Sequence, residues 1–373
     1  LKEIIGTAIL PVVQRARFDV EVFSAESGPR NGRHLKLPDP TAFLNRLNRI
    51  WKRGSTTGLA DRDGRKAYFG RRLRRLDDAP IPADPTELRL FMVVRNGALR
   101  LPYLLEYYRQ RGVDRFFVVD NGSSDGTGEL LRKMERTHVF QTTDTYQASD
   151  CGILWAEYLM DLYCRGQWSV IVDEDELLVY PGWEDISLKT LTRALDAQGA
   201  TALPSLLLDM YSDRPLIEVG YVPGQDFLEA CPFFEVGHRR MRDDGAWEGG
   251  VRHRVFGAWN ILRKHNLVKH VAGSRIGGGM HMVHGAVLSD MSGITLHFKY
   301  FQDFSESARL EAEREEHWND AWQYKRYAQR MQEVPDLNLF CDESIRFEGS
   351  QQLIELGLMT PLTAKGASTT TER

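Results

Sequence analysis

The sequence predicts an α/β fold, a Rossmann-like domain with a mostly parallel central sheet. From Glu87 to Leu208, short apolar runs alternate with amphipathic segments, and continuous apolar strands of this kind belong to a parallel sheet covered on both faces. Polar turns follow those runs, as in Asp120-Asn121-Gly122 and Asp173-Glu174-Asp175-Glu176. Open α/β sheets bind ligands beyond the carboxyl ends of their strands. The 373 residues, 42% hydrophobic and 27% charged, suffice for one large domain with additions or two modest ones.

Residues 1–85 read as an irregular, turn-rich region. Within it, residues 46–75 are rich in arginine and end in Arg71-Arg72-Leu73-Arg74-Arg75. The stretch reads as a solvated arm, or as a patch for anionic lipid that would hold the chain peripherally at the inner membrane face. Closely spaced prolines make Ala79-Pro80-Ile81-Pro82-Ala83-Asp84-Pro85 an extended linker.

A nucleotide-binding half follows, over 86–208. Strands are predicted over 88–94, 115–119, 139–142, 168–172 and 201–208, with helices over 99–111, 124–136, 148–164 and 187–198. In the first helix Leu101, Leu104, Leu105 and Tyr108 share a face, and Pro102 is tolerated in the opening turn. The alternation then fails. Residues 209–305, rich in Gly, His, Arg and aromatics, are expected to form an acceptor half. A charged helix is predicted over 303–332 within a helical region, 306–362, and 363–373 reads as a disordered tail.

Several function classes lose support. A net charge of −4 argues against a binder of nucleic acid that neutralises phosphates along a strand. Cys151, Cys164, Cys231 and Cys341 form no CxxC pair, which excludes a zinc knuckle and fits reduced thiols in a cytoplasmic protein. No apolar run reaches membrane-spanning length. There is no GxGxxG and no GxxxxGK[ST]. The first residue is Leu1, so a natural N-terminus and any targeting signal could precede it.

The acids Asp173-Glu174-Asp175-Glu176 directly follow an apolar strand and precede Leu177-Leu178-Val179. Carboxylates packed there repel unless a cation neutralises them. A hard ion, Mg²⁺ or Mn²⁺, does so through oxygen ligands and can bridge a diphosphate. In Val119-Asp120-Asn121-Gly122-Ser123-Ser124-Asp125-Gly126-Thr127, glycines permit close backbone approach and polar side chains can cap the next helix. Asp120 is the candidate contact to a ribose or base. In Glu248-Gly249-Gly250-Val251-Arg252-His253-Arg254, Arg252 and Arg254 could clamp phosphate oxygens. Along residues 294–300, Thr295, His297 and Lys299 share one strand face.

Together Val93-Val94-Arg95-Asn96, Leu101-Pro102-Tyr103, the Asp120–Thr127 segment and Trp168–Leu178 resemble family 2 glycosyltransferases, which have the GT-A fold; the resemblance spans about 88–305. It implies a sugar nucleotide donor, with Val94, Arg95, Asn96, Asp120, Asn121, Ser123 and Asp125 at the nucleotide. Asp173 and Asp175 would serve metal and diphosphate. His297 resembles the late histidine completing the metal site in several such enzymes, and Lys299 would help neutralise the leaving group. Relatives often carry an acid where this chain has Gly97.

The resemblance implies transfer with inversion onto a glycan or glycolipid hydroxyl, with a surface polysaccharide as one acceptor class. That reaction needs a carboxylate base. Of Asp209, Asp213, Asp226, Glu235, Asp243, Asp244 and Glu248, Glu248 is preferred because it adjoins the arginines, with Asp213 next. Two alternatives stand beside this reading. A sugar-phosphate nucleotidyltransferase would share the core, but Arg95–Arg100 is a poor version of its glycine-rich loop. A catalytically silent glycan- or partner-binding member is the other.

Overall fold

The computed structural model describes residues 58–361. Helix α1 (Gly58–Gly70) leads into β1 (Arg74–Arg75), then β2 (Arg89–Val94), α2 (Leu101–Gln110), β3 (Arg115–Asp120), α3 (Thr127–Leu131) and β4 (Thr137–Gln141). Next come α4 (Ile153–Tyr163), β5 (Trp168–Ile171), β6 (Glu176–Val179), α5 (Leu188–Ala197) and β7 (Ala202–Asp209). The second half adds α6 (Phe227–Ala230), β8 (Phe233–Phe234), β9 (Arg239–Met241), β10 (Trp247–Gly249), α7 (Val251–Phe256) and β11 (Arg263–Lys269). It continues through β12 (Arg275–Gly277), β13 (Met282–His284), β14 (Gly293–His297), α8 (Phe304–Arg314), α9 (Trp318–Glu333), β15 (Ile345–Arg346) and α10 (Ser350–Glu355).

Nine strands form one sheet in the order β1-β4-β3-β2-β5-β11-β7-β14-β6. Strands β2, β3, β4, β5, β7 and β14 run one way, and β1, β6 and β11 run against them. The mostly parallel α/β class expected from the sequence is therefore the observed one. Alternation along each strand builds two apolar layers. Leu90, Met92, Phe116, Val118 and Val170 face α2 and α5, while Phe91, Phe117, Val119 and Ile171 face α4 and Phe69 of α1.

Several boundaries differ from expectation. The two halves expected within 86–305 share one sheet, which β11 and β14 enter, with β11 between β5 and β7. The sequence gives no local sign of this, since register across distant strands is a tertiary choice. The predicted helix over 124–136 shrinks to α3. Helix α4 starts five residues later than predicted, after Asp150, Cys151 and Gly152 all adopt positive φ, a conformation outside the right-handed helix. The predicted helix over 303–332 is two helices, broken at Glu315 with φ 56°.

Within the expected irregular N-terminal region, α1 is a packed helix and β1 joins the sheet edge. Arg62 pairs with buried Glu157 of α4, Lys66 with Asp161 at 2.6 Å, and Gly70 lies against the Tyr158 ring so closely that a Cβ would overlap it. The remainder of the arginine-rich arm and the predicted tail lie outside the described residues. Among the described residues no helix is long and apolar enough to cross a membrane, and Cys164, Cys231 and Cys341 form no disulfide.

Candidate active site

The parallel strands end along one edge, which gathers residues remote in sequence. Asn121 N–H donates to the Val94 carbonyl at 2.9 Å, and Phe298 N–H to the Asp175 carbonyl at 2.7 Å. His297 ends β14 in register with Asp209, the last residue of β7, and with Glu176, the first of β6.

A buried row of charged groups runs along this edge. His297 Nε2 lies 3.2 Å from Asp175 Oδ2, and its Nδ1 lies 2.6 Å from Asp209 Oδ1. Arg252 grips Asp209 with two nitrogens, at 2.8 and 2.6 Å. Burial works against the Asp209 carboxylate, but Arg252 and His297 hold it at about 2. Burial likewise opposes the His297 imidazolium, and the Asp175 carboxylate outweighs it and raises the pKa. Lys299 reaches the Tyr324 hydroxyl at 3.2 Å and Asp175 at 3.9 Å. Arg100 pairs with Asp303 at 2.6 Å.

The acidic loop is unevenly compensated. Lys264, buried in β11, lies 3.1 Å from Asp173 and 2.7 Å from Glu176. Glu174 forms no ion pair among the described residues; burial and then the neighbouring Asp175 and Asp173 carboxylates push it up to about 8. At neutral pH that carboxyl mostly keeps its proton, and a cation placed beside it would favour the ionised form.

This chemistry allows a test of the expected divalent cation. Two adjacent ligands at roughly 2.1 Å from one ion stand about 3 Å apart, close to the Asp175–His297 separation. The Asp209 contact to Nδ1 orients the ring as the outer carboxylate of a metal-bound histidine does. No group of three or more His, Cys, Asp or Glu side chains that could hold an ion forms among the described residues. The fit is therefore to an ion shared with a ligand's phosphates, which is how Mg²⁺ usually binds, and not to a cage made by protein alone. Asp175 and His297 come together here, whereas Asp173 turns to Lys264.

The nucleotide-side candidates mostly knit two loops to each other. Asp120 is buried and accepts from Ser123 N–H at 2.8 Å. Ser123 Oγ accepts from Asn96 N–H at 2.9 Å, and Asp125 accepts from Ala98 N–H at 2.9 Å and Thr127 N–H at 3.0 Å. Arg95 donates to the Asn121 carbonyl at 2.7 Å, and Arg314 to Asn121 Oδ1 at 2.9 Å. Val94 closes the hydrophobic layer beneath.

The expected arginine clamp separates. Arg252 is committed to Asp209, and Arg254 turns away to Glu235 and the Leu339 carbonyl. Glu248, preferred as base, has its two oxygens held by Arg240 at 2.7 Å and Arg242 at 3.0 Å. Burial raises its pKa, but the two arginines win and lower it. That opposes the tuning a base needs. Asp213 is exposed, four residues beyond Asp209.

Arg100, Lys264 and Tyr324 are not among the site residues expected from the sequence, and Asp209 is there only as one of seven candidate bases. Asp209 carried a signal, an acid closing an apolar strand, the same signal that selected Asp120 and Asp173. The other three meet the site across long sequence separations and carried none.

No family model matches the chain, and no curated protein does. Among solved structures, that of a 4-diphosphocytidyl-2C-methyl-D-erythritol synthase is similar over 49% of this chain and 76% of that one. The identity is 14% and the TM-score 0.26; a likeness this slight carries no functional argument.

Proposed function

We propose that the protein is a glycosyltransferase that moves a sugar from a nucleotide-diphosphate donor to an acceptor hydroxyl, with Mn²⁺ or Mg²⁺ bound alongside the diphosphate. The observation that carries this reading is the row Asp175–His297–Asp209–Arg252 at the carboxyl edge of the sheet, beside Glu174, whose ionisation burial and its acidic neighbours oppose. The His297 ring is oriented by its own outer carboxylate, Asp209.

Asp175 and His297 are the residues that would hold the cation, which when bound would stabilise charge building on the leaving diphosphate. Asp209 fixes the His297 ring through Nδ1, and Arg252 keeps Asp209 ionised and in place. Lys299 adds a fixed positive charge at the same edge and needs no reorganisation during reaction. Tyr324, bonded to Lys299, restrains that ammonium. With Glu248 held by two arginines, the acceptor hydroxyl's proton is assigned to Asp213.

The test is release of nucleoside diphosphate from a panel of sugar nucleotides with Mn²⁺ and a mixed glycan acceptor. Turnover with one donor, reduced roughly 10²- to 10³-fold by Asp175→Asn and also lost in Asp213→Asn but not in Glu248→Gln, supports the assignment. Pyrophosphate release from a nucleoside triphosphate and a sugar phosphate would replace it with nucleotidyl transfer.

A further inference from the structure

Strand β1 forms an outer edge of the sheet and pairs with β4 so that Arg74 lies opposite Gln141. Successive side chains of a strand point to opposite faces, and the two arginines of β1 part accordingly. Arg75 is held by Asp77 at 2.7 Å and meets the His138 ring at 3.2 Å. Arg74 instead lines an open groove of about 350 Å³ at the carboxyl end of β4, with Arg72, Gln141, Thr142, Thr143 and Asp144. That volume falls in the range of small-molecule sites, roughly 300–1,000 Å³.

The groove is rich in donors and poor in acceptors. Asp144, its one carboxylate, takes Nε and Nη2 of Arg72, both at 2.7 Å. Arg74 donates to Gln141 Oε1 at 2.6 Å and has no carboxylate partner among the described residues. The Gln141 amide N–H groups and the Thr143 hydroxyl have no partner there either. Arg72, Arg74 and Thr143 are all exposed, so a ligand can reach them from solvent. The inner wall is fixed by Asn121, whose side-chain amide donates to the Thr142 and Asp144 carbonyls at 3.3 and 3.0 Å. Three strand spacings, about 14 Å, divide β4 from β5 and the acidic loop that follows it.

We propose that this groove binds a phosphate monoester, with Arg74 and the remaining N–H groups of Arg72 on the phosphate oxygens and Gln141 and Thr143 donating beside them. An ionised phosphate presents three accepting oxygens to donors arriving from both strands, and guanidinium groups pair with it directionally. A neutral ligand would leave Arg74 without a counter-charge. Two sources share this chemistry. One is a soluble polyol or sugar phosphate. The other is a phospholipid headgroup, which exposed Arg71 and the Tyr68 ring, 45% exposed with Arg72 over it at 5.3 Å, would meet at a membrane surface. The site does not rest on the proposed transfer reaction.

The experiment is calorimetric titration of wild type, Arg74→Gln, Thr143→Val and Asp175→Asn with glycerol 3-phosphate and with glycerate. The same proteins are sedimented with phosphatidylcholine vesicles, with and without phosphatidic acid. The expected result is binding of glycerol 3-phosphate without Mn²⁺, or sedimentation only with phosphatidic acid present. Either should weaken at least about tenfold in Arg74→Gln, less in Thr143→Val, and not at all in Asp175→Asn. Titration without sedimentation assigns a soluble phosphate ester, and sedimentation assigns a lipid headgroup. Arg74→Gln should melt with wild type, which separates lost binding from lost folding. Binding unchanged in Arg74→Gln, glycerate bound as tightly as glycerol 3-phosphate, or no binding in either arm overturns the proposal. Loss of binding in Asp175→Asn would fold the groove into the donor site and overturn it as a separate one. Failure of nucleotides to bind with Mn²⁺ overturns the transferase reading and leaves this site standing.

Discussion

The two edges of the central sheet both carry buried charge, and they treat it differently. At the amino edge, Glu87 sits between Arg89 at 2.8 Å and Arg115 at 2.7 Å, and Asp77 between Arg75 at 2.7 Å and His138 at 2.9 Å. His138 Nε2 also lies 3.1 Å from Arg115, so the cluster is closed on itself. At the carboxyl edge, Arg252, Lys264, His297 and Lys299 serve Asp173, Asp175, Glu176 and Asp209, and Glu174 is left over. A closed cluster is architecture. An open one, at the edge where α/β sheets bind ligands, is prepared for a partner.

Substitutions should separate the two edges. Glu87→Gln strands two buried guanidinium groups and is expected to cost about 3–5 kcal/mol of stability, read from denaturant unfolding, with turnover of the remaining folded enzyme unchanged. Equal losses of turnover and stability would erase the distinction. Asp209→Asn is expected to act on both quantities. It frees Arg252 and the His297 ring, and the loss of ring orientation should lower metal-dependent nucleotide affinity roughly 10- to 100-fold. An affinity within twofold of wild type would remove Asp209 from the account.

The acid limb of stability should belong to the amino edge. Burial opposes ionisation of Asp77, but hydrogen bonds from Arg75, the His138 ring and Val139 N–H hold it at about 2. Its folded pKa is depressed, so its contribution is fully present above about pH 4 and is lost as pH falls toward 2. Asp77→Asn should remove about 1 kcal/mol at neutral pH, solvent screening reducing the full linkage value, and flatten that limb. A limb of unchanged slope would assign the acid sensitivity elsewhere. The last substitution leaves the site untouched: Ala at Gly70 forces the Tyr158 ring aside at a cost of roughly 1–3 kcal/mol with no change in nucleotide binding.

How much of this was legible in the sequence differs along the chain. The strand-helix alternation from β2 to β7 was readable because each buried strand is a continuous apolar run, such as Arg115-Phe116-Phe117-Val118-Val119. Strand β11, with Lys264, His265 and Asn266 buried within it, shows no such run. Two of these are satisfied across the sheet, Lys264 by Asp173 and Glu176, and Asn266 by Glu176 and Thr295. Pairings of this kind cannot be seen locally. The Asp175–His297 meeting was expected from resemblance, while the Arg252–Asp209 fork reversed the expected direction of Arg252. A motif shows that an arginine is present, and only the fold decides what it faces.

The most direct test of the central claim is a thermal-shift panel of UDP, GDP, CDP and dTDP, each with and without Mn²⁺, on wild type and Asp175→Asn. The account predicts that one nucleotide stabilises wild type only with the metal, by roughly 2.7 kcal/mol at 100 times its dissociation constant, and that Asp175→Asn abolishes the shift while folding normally. No shift with any nucleotide, or a shift indifferent to both Mn²⁺ and Asp175, would contradict it.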